Sequence, residues 1–285
     1  MTEHPNALIT IIIAVFNGAK TLQQCIDSVA QQSYPNKQLI IIDGGSTDGT
    51  IELLQANDQS ISYWVSEPDK GIYNAWNKGL LKAEGEWICF LGADDYFWDD
   101  QVLANMSKFL VKLPVNIRVA YSQIMLLSEN GQELYLSGEP WQKVKQRFKQ
   151  LMSIPHPGTM HRRDLFEQYG YFDESFRIAG DYELLLRDLK TADAEFIPDL
   201  VTVGMLQGGI SSNPKNTLLQ LHEVRHAQQK HGLKLPSANW LMAVLRVYIR
   251  LLLWRVVGEN AMRKALDLGR CIMGLPPHWT RLNDK

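Results

Sequence analysis

The chain has 285 residues, 45% of them hydrophobic and 21% charged, with a formal net charge of −2. That is a globular composition with enough chain to bury a full core, and it excludes collagen-like, low-complexity and intrinsically disordered classes. The three cysteines, Cys25, Cys89 and Cys271, are far apart and form no C-x-x-C pair, which argues against a disulfide framework or a cysteine-zinc cluster and for a reducing cytoplasm.

The opening segment MTEHPNALIT lacks a basic stretch followed by an apolar one, so no secretory signal is expected. Leu8–Asn17 is a β-branched run too short to span a bilayer and suited to a buried parallel strand. Leu22, Cys25, Ile26 and Val29 then recur at helical spacing up to Ser33-Tyr34-Pro35. Gln38–Asp43 is a second strand, closed by GGSTDGT, with a helix from Ile51. ISYWVSE alternates as a third strand, and Ile72, Ala75, Trp76, Gly79 and Leu80 mark a third helix. EWICFLGADD is the fourth strand.

Such strand–helix alternation predicts an α/β fold, a mostly parallel Rossmann-like sheet with helices on both faces. Ligands of these sheets bind beyond the carboxyl ends of the strands, which is where Asn17, Asp43 and Asp94–Asp95 fall. From about Val115 the pattern changes. Two antiparallel strands are expected around Glu129-Asn130-Gly131, then a short strand, a short helix, a helix starting near Asp181, and a last strand in EFIPDLVTVG. We expect one large domain over residues 1–205, in two halves at about 8–96 and 97–205. Residues 206–285 form a flexible loop and a helical C-terminal extension.

Charge is polarised along the chain: residues 206–285 carry a balance of +8 and residues 1–205 a balance of −10. The helix expected over Asn239–Gly258 is strongly apolar yet holds Arg246, Arg250 and Arg255, which argues against spanning a bilayer. Asn239, Arg246 and Arg250 share one face, while Trp240, Trp254 and the leucines offer interfacial anchors. A helix lying on an anionic membrane surface fits this pattern, as does one packed on its own domain or on a partner subunit in a homo-oligomer.

Four stretches carry candidate chemistry. Asp43 with Gly44 and Gly45 puts a carboxylate and close-approach glycines at a strand end, in a pattern that is neither the dinucleotide G-x-G-x-x-G nor a P-loop. An ordinary turn has the same letters. Asp69 and Lys70 sit at a turn before a helix, where an acid either complements the helix dipole or holds a ligand. Asp94–Asp95 at the mouth of an apolar strand suit a hard divalent cation, Mg²⁺ or Mn²⁺, whereas Asp99–Asp100 read better as the cap of the next helix. His156, between two prolines, fits either an acceptor pocket or a core histidine. The letters His222-Glu223-Val224-Arg225-His226 match the H-E-x-x-H zinc-hydrolase pattern, with a plain surface helix as the alternative.

In order along the chain, ITIIIAVFNGAKTLQQCIDSVAQQSYPNKQLIIIDGGSTDGT, SEPDKGIYNAWNKG, GEWICFLGADD and AGDYELLLR resemble glycosyltransferase family 2 with its GT-A fold, over about residues 8–212. The resemblance implies a metal-dependent, inverting hexosyl- or N-acetylhexosaminyltransferase with a nucleotide-sugar donor, usually UDP-linked. It implies a saccharide or lipid-linked acceptor, work at the cytoplasmic membrane face in bacterial surface-polysaccharide assembly, and no nucleic-acid partner. It further implies Asp43 on the uracil, Asp69 in the donor loop, Asp94 on the ribose, Asp95 on Mn²⁺ or Mg²⁺, and Asp181 as catalytic base. Gly208 and Gly209 resemble the hinge of a loop closing over the donor. Where many relatives have Glu-Asp, this chain has Gly180-Asp181. A nucleotide-sugar-binding protein without turnover is the alternative of another class.

Overall fold

A computed structural model describes residues 7–128, 130–207, 216–233, 235–236 and 238–272. The N-terminal half alternates as expected: β1 (Ile9–Val15), α1 (Leu22–Ala30), β2 (Lys37–Asp43), α2 (Thr50–Ala56), β3 (Tyr63–Ser66), α3 (Ile72–Leu80) and β4 (Trp87–Gly92). Then come β5 (Tyr96–Phe97), α4 (Val102–Leu110), β6 (Val119–Leu127), β7 (Glu133–Ser137), α5 (Trp141–Phe148), β8 (Met160–Arg162), α6 (Arg163–Tyr169), α7 (Gly180–Leu189) and β9 (Glu195–Leu206). Three further helices follow, α8 (Thr217–Lys230), α9 (Ala238–Val257) and α10 (Glu259–Ile272).

All the strands share one sheet in the order β3-β2-β1-β4-β8-β6-β9-β5, with β7 paired on β6. The first four are mutually parallel, so their carboxyl ends share a rim. β8 enters antiparallel to both β4 and β6, which makes the sheet mixed and confines its parallel character to the N-terminal half and the β6–β9 pair. β1 shows why the central strands must be apolar throughout. Ile12 faces a cluster with Tyr73, Trp76 and Leu80 of α3, and Ile11 and Ile13 face the opposite cluster with Leu22, Cys25 and Ile26 of α1. Successive side chains point to opposite faces, and both faces are covered.

α7 is buried almost all round: Leu184, Leu185, Leu186 and Leu189 are fully enclosed. Its two buried acids are paired, Glu183 with Arg187, His231 and Lys230, and Asp188 with Arg118 at 3.1 Å and the Tyr169 hydroxyl at 3.1 Å. Buried carboxylates require such partners. Because Lys230 and His231 lie at and just beyond the end of α8, the C-terminal helices help to hold α7. The Asp99–Asp100 pair behaves differently from the expected cap. Asp99 accepts from the amide of Gln101 at 2.8 Å, ahead of α4, and no side chain caps that helix. The Asp100 carbonyl instead takes the amide of Ser33, tying the α1–β2 connection down.

Candidate active site

Four strand ends meet on the parallel rim. Directly after β1, Asn17 takes a left-handed backbone conformation (φ 52°), which lets its amide side chain turn back. Its Oδ1 accepts from the Thr47 amide at 2.9 Å, and its own amide donates to Ser46 Oγ at 2.6 Å. Asp43, at the end of β2, is fully buried. Its carboxylate accepts from the amides of Gly45 (3.1 Å) and Ser46 (3.0 Å), from Ser66 Oγ at the end of β3 (2.6 Å), and from Ser46 Oγ. A carboxylate has about four acceptor sites. Asp43 is therefore engaged in organising the loop, and a base edge reaches it only if Ser46 or Ser66 turns aside.

Gly44 is a glycine because of Asp69: a Cβ there would lie 2.6 Å from Asp69 Oδ2 and 3.4 Å from the Phe16 ring. Asp69 Oδ1 accepts from the Gly71 amide at 2.8 Å, a turn that starts α3, and Lys70 is exposed beside it with its amide on Asn74 Oδ1 at 3.3 Å. Phe16 itself is 66% exposed at the mouth of this crevice. Sequence reasoning passed over it, although an aromatic ring between a buried strand and a polar turn was the available signal.

At the end of β4 the backbone of Gly92 is a meeting point. A Cβ there would lie 2.7 Å from Asp94 Oδ1 and 2.8 Å from Asp95 Oδ2, so the two carboxylates converge on it. The Gly92 amide donates to Asp95 Oδ2 at 3.3 Å, and the Leu206 amide at the end of β9 also serves Asp95. Burial, and then the charge of Asp94, push the Asp95 carboxyl up to about 7. No cationic side chain pairs with either acid among the described residues. Nor is there a cluster of three or more metal-ligating side chains among the described residues. Two convergent oxygens with open positions suit a cation that takes its remaining ligands from phosphate and water.

Asp181 lies in the first turn of α7, half-buried. Burial holds its carboxyl up at about 6, against the amide of Tyr182 (2.8 Å) and the Tyr73 hydroxyl (3.4 Å), which favour the charged form. The Tyr73 hydroxyl that reaches it comes from α3, the helix that follows the Asp69 turn. Tyr73 Oη accepts from the Gly180 amide at 2.8 Å, and Glu174 accepts from the amides of Asn74 and Asn77, each at 2.9 Å. The molecule thus holds a convergent acid pair at the end of β4 and, in the first turn of α7, a separate carboxylate held up at about 6.

The sequence profile of Glycosyl transferase family 2 matches residues 10–170, more than half of the chain. The chain belongs to this family. Among curated proteins it is 30% identical over 183 residues to a PGL/p-HBAD biosynthesis glycosyltransferase of Mycobacterium bovis (strain BCG / Pasteur 1173P2), covering 63% of this chain and 69% of that one. It is 27% identical over 222 residues to an uncharacterized glycosyltransferase of Rickettsia typhi, covering 76% and 69%. Among solved structures, Staphylococcus aureus TarS 1–349 in complex with UDP-GlcNAc superposes with a TM-score of 0.61 at 17% identity. That match covers 77% of this chain and 66% of the TarS fragment, so the chain spans just under two thirds of that relative. The mannosyltransferase PcManGT of Pyrobaculum calidifontis, in complex with GDP-Man and Mn²⁺, gives a TM-score of 0.60 at 17% identity, over 91% of this chain and 75% of that one. These neighbours share the GT-A fold.

For this family 2 glycosyltransferase, Asn17, Asp43, Gly44, Asp69, Lys70, Asp94 and Asp95 all fall on the rim formed by the ends of β1 to β4. His156 lies below it. Its ring stacks on Phe90 (5.7 Å) and packs against Trp76 and His161 (each 5.2 Å), and burial holds it neutral, down at about 3. That is the core-histidine alternative, and its Nε2 has no hydrogen-bond partner. Gly208 and Gly209 lie outside the described residues. The H-E-x-x-H letters form no zinc site among the described residues. Glu223 accepts the amides of Arg177 (2.9 Å), Ile178 (2.8 Å) and Ala179 (2.9 Å), while His222 edges Trp240 and His226 packs on Phe176. A carboxylate spent on three amides is not free to act as a hydrolase base, which corrects that alternative.

Proposed function

We propose that this glycosyltransferase moves a hexosyl or N-acetylhexosaminyl group from a nucleotide-sugar, UDP-linked, to a hydroxyl of a saccharide or lipid-linked acceptor, with inversion. The observation that carries the reading is the presence of two acidic centres with different chemistry, the Asp94–Asp95 pair at the end of β4 and Asp181 in α7. Asp181 is a lone carboxylate whose ionisation lies near neutrality, as a general base requires. It takes the acceptor proton on the face opposite the leaving group, the geometry a single displacement needs. The nucleoside diphosphate leaves without needing a proton; its need is charge neutralisation. Asp95, with Asp94 toward the ribose, would hold Mn²⁺ or Mg²⁺, which when bound supplies Lewis-acid stabilisation of the departing diphosphate. Asp69 and Lys70 bind the donor from the start of α3, Phe16 stacks on its base, and Asp43 shapes the loop beneath.

Mn²⁺-dependent binding and slow hydrolysis across a panel of nucleotide-sugars, with EDTA and Asp95→Ala controls, test this directly. A panel in which no UDP-sugar responds to metal would overturn it. The pH profile is a second check. Asp181 works only when ionised, so activity should fall as pH drops through about 6, reaching roughly a tenth of its plateau one unit lower. A profile flat down to pH 5 would contradict the base.

The reading extends to a membrane surface, with α9 as its support. No helix among the described residues is long and apolar enough to cross a bilayer. Yet Leu241, Met242, Leu245, Ile249, Leu252 and Val256 are all exposed along one stripe of α9, with exposed Arg246 beside it. Trp240, an expected interfacial anchor, turns inward and donates to the Leu221 carbonyl at 2.8 Å, docking α9 on α8. An apolar stripe in a region of balance +8 suits the anionic inner face of a cell membrane, where a lipid-linked acceptor would be met. The double substitution Leu245→Glu, Ile249→Glu should reduce co-sedimentation with phosphatidylglycerol vesicles by about tenfold or more. Unchanged vesicle binding, with a dimer lost instead, would make the stripe a subunit interface.

A further inference from the structure

Gly180 has no backbone reason to be a glycine, because it is not among the residues with positive φ. Its reason is a neighbour. A Cβ at Gly180 would lie 2.7, 2.8 and 2.9 Å from Cε2, Cζ and Cδ2 of Tyr73, so the phenol ring fills the space that any side chain there would need. The ring is fixed in place, edge-on to Trp76 and stacked on Phe172, each at 5.5 Å, and is 3% exposed.

Its hydroxyl is equally constrained. Oη accepts from the Gly180 amide at 2.8 Å, which uses a lone pair and leaves the single O–H to donate elsewhere. Asp181 Oδ1, at 3.4 Å, is the acceptor it meets. From the other side Glu223 of α8 holds the three preceding amides, so the turn that presents Asp181 is pinned from two elements distant in sequence. Tyr73 from α3 and Glu223 from α8 are the titratable groups facing Asp181.

We propose that Tyr73 is a positioning residue of the transfer reaction: its hydroxyl, oriented by the Gly180 amide, donates to Asp181 and aims that carboxylate at the acceptor hydroxyl. The proposal rests on Asp181 being the base. It also explains the Gly-Asp pair, since the ring stands where another residue's side chain would be. The donated hydrogen bond favours the ionised carboxylate, while the charge of Glu223 opposes it.

Tyr73→Phe keeps the ring and removes both the donor to Asp181 and the acceptor of the Gly180 amide, so a thermal scan beside the wild type checks that the variant is folded at the assay temperature. Transfer by the full-length chain with Mn²⁺ and donor should show kcat lowered by about tenfold or more and donor KM within about twofold. The acidic limb of the kcat profile should move upward by about half a pH unit. Asp181→Asn is assayed beside it. If that variant is inactive while Tyr73→Phe keeps wild-type kcat and an unmoved limb, Tyr73 merely fills space and the proposal falls alone. If Asp181→Asn still transfers sugar, the base assignment falls and takes this proposal with it.

Discussion

Asp181→Asn is expected to lower sugar transfer by about 10²–10⁴-fold while leaving donor affinity within about threefold. Asparagine keeps the size of the side chain and its acceptor oxygen, so the bonds from the Tyr182 amide and the Tyr73 hydroxyl survive. What it loses is the ability to take a proton. On the proposed reading the donor's diphosphate is held from Asp94–Asp95, so its binding has little to lose. Calorimetry with UDP and a single-turnover transfer assay on the same preparation separate the two quantities. Equal losses in both would contradict the base assignment. Intact donor binding with no transfer by the wild-type chain would favour a binding protein without turnover.

Asp95→Asn should give the unusual combination of an inactive and more stable protein. The folded carboxyl is held up at about 7 by burial and by Asp94, above its value in the unfolded chain. The folded state thus binds the proton more tightly, so the penalty is complete above pH 7 and is relieved as pH falls through about 7 toward the unfolded value. At pH 8 without metal, this buried charge costs on the order of 1–3 kcal/mol, and asparagine removes that cost. The melting temperature in EDTA should rise by about 2–8 °C at pH 8 and change little at pH 5. Mn²⁺ should stabilise the wild type and not the variant, and transfer should fall by about 10²–10³-fold. Thermal scans at both pH values, with EDTA or MnCl₂, check this. A variant that is less stable in EDTA at pH 8, or still stabilised by Mn²⁺, would show that Asp95 is not the uncompensated acid.

Much of the N-terminal half could be read from periodicity. Residues 11–15, 39–42 and 87–91 are continuous apolar runs because both sheet faces are covered, and polar residues cluster where those runs end. The part beyond β4 was less legible. β8 is three residues long, and it enters between β4 and β6 by pairings remote in sequence, which no local pattern signals. Asp99 misled because an acid before a helix can serve either the helix or the turn ahead of it. Glu223 misled in the other direction, since H-E-x-x-H letters say nothing about which amides lie opposite.

The sequence by itself determined the alternation of elements, the strand-end acids Asp43, Asp94 and Asp95, the acid Asp181 at a helix start, and the family. These depend on local spacing and residue type, which the chain carries with it. Only the tertiary structure decided what each acid faces. It buried Asp43 under two serine hydroxyls, brought Asp94 and Asp95 together over Gly92, and set Tyr73 against Gly180, 107 positions away. Charge, burial and hydrogen bonding act through space, so a carboxylate's role is fixed by neighbours that the order of residues does not reveal.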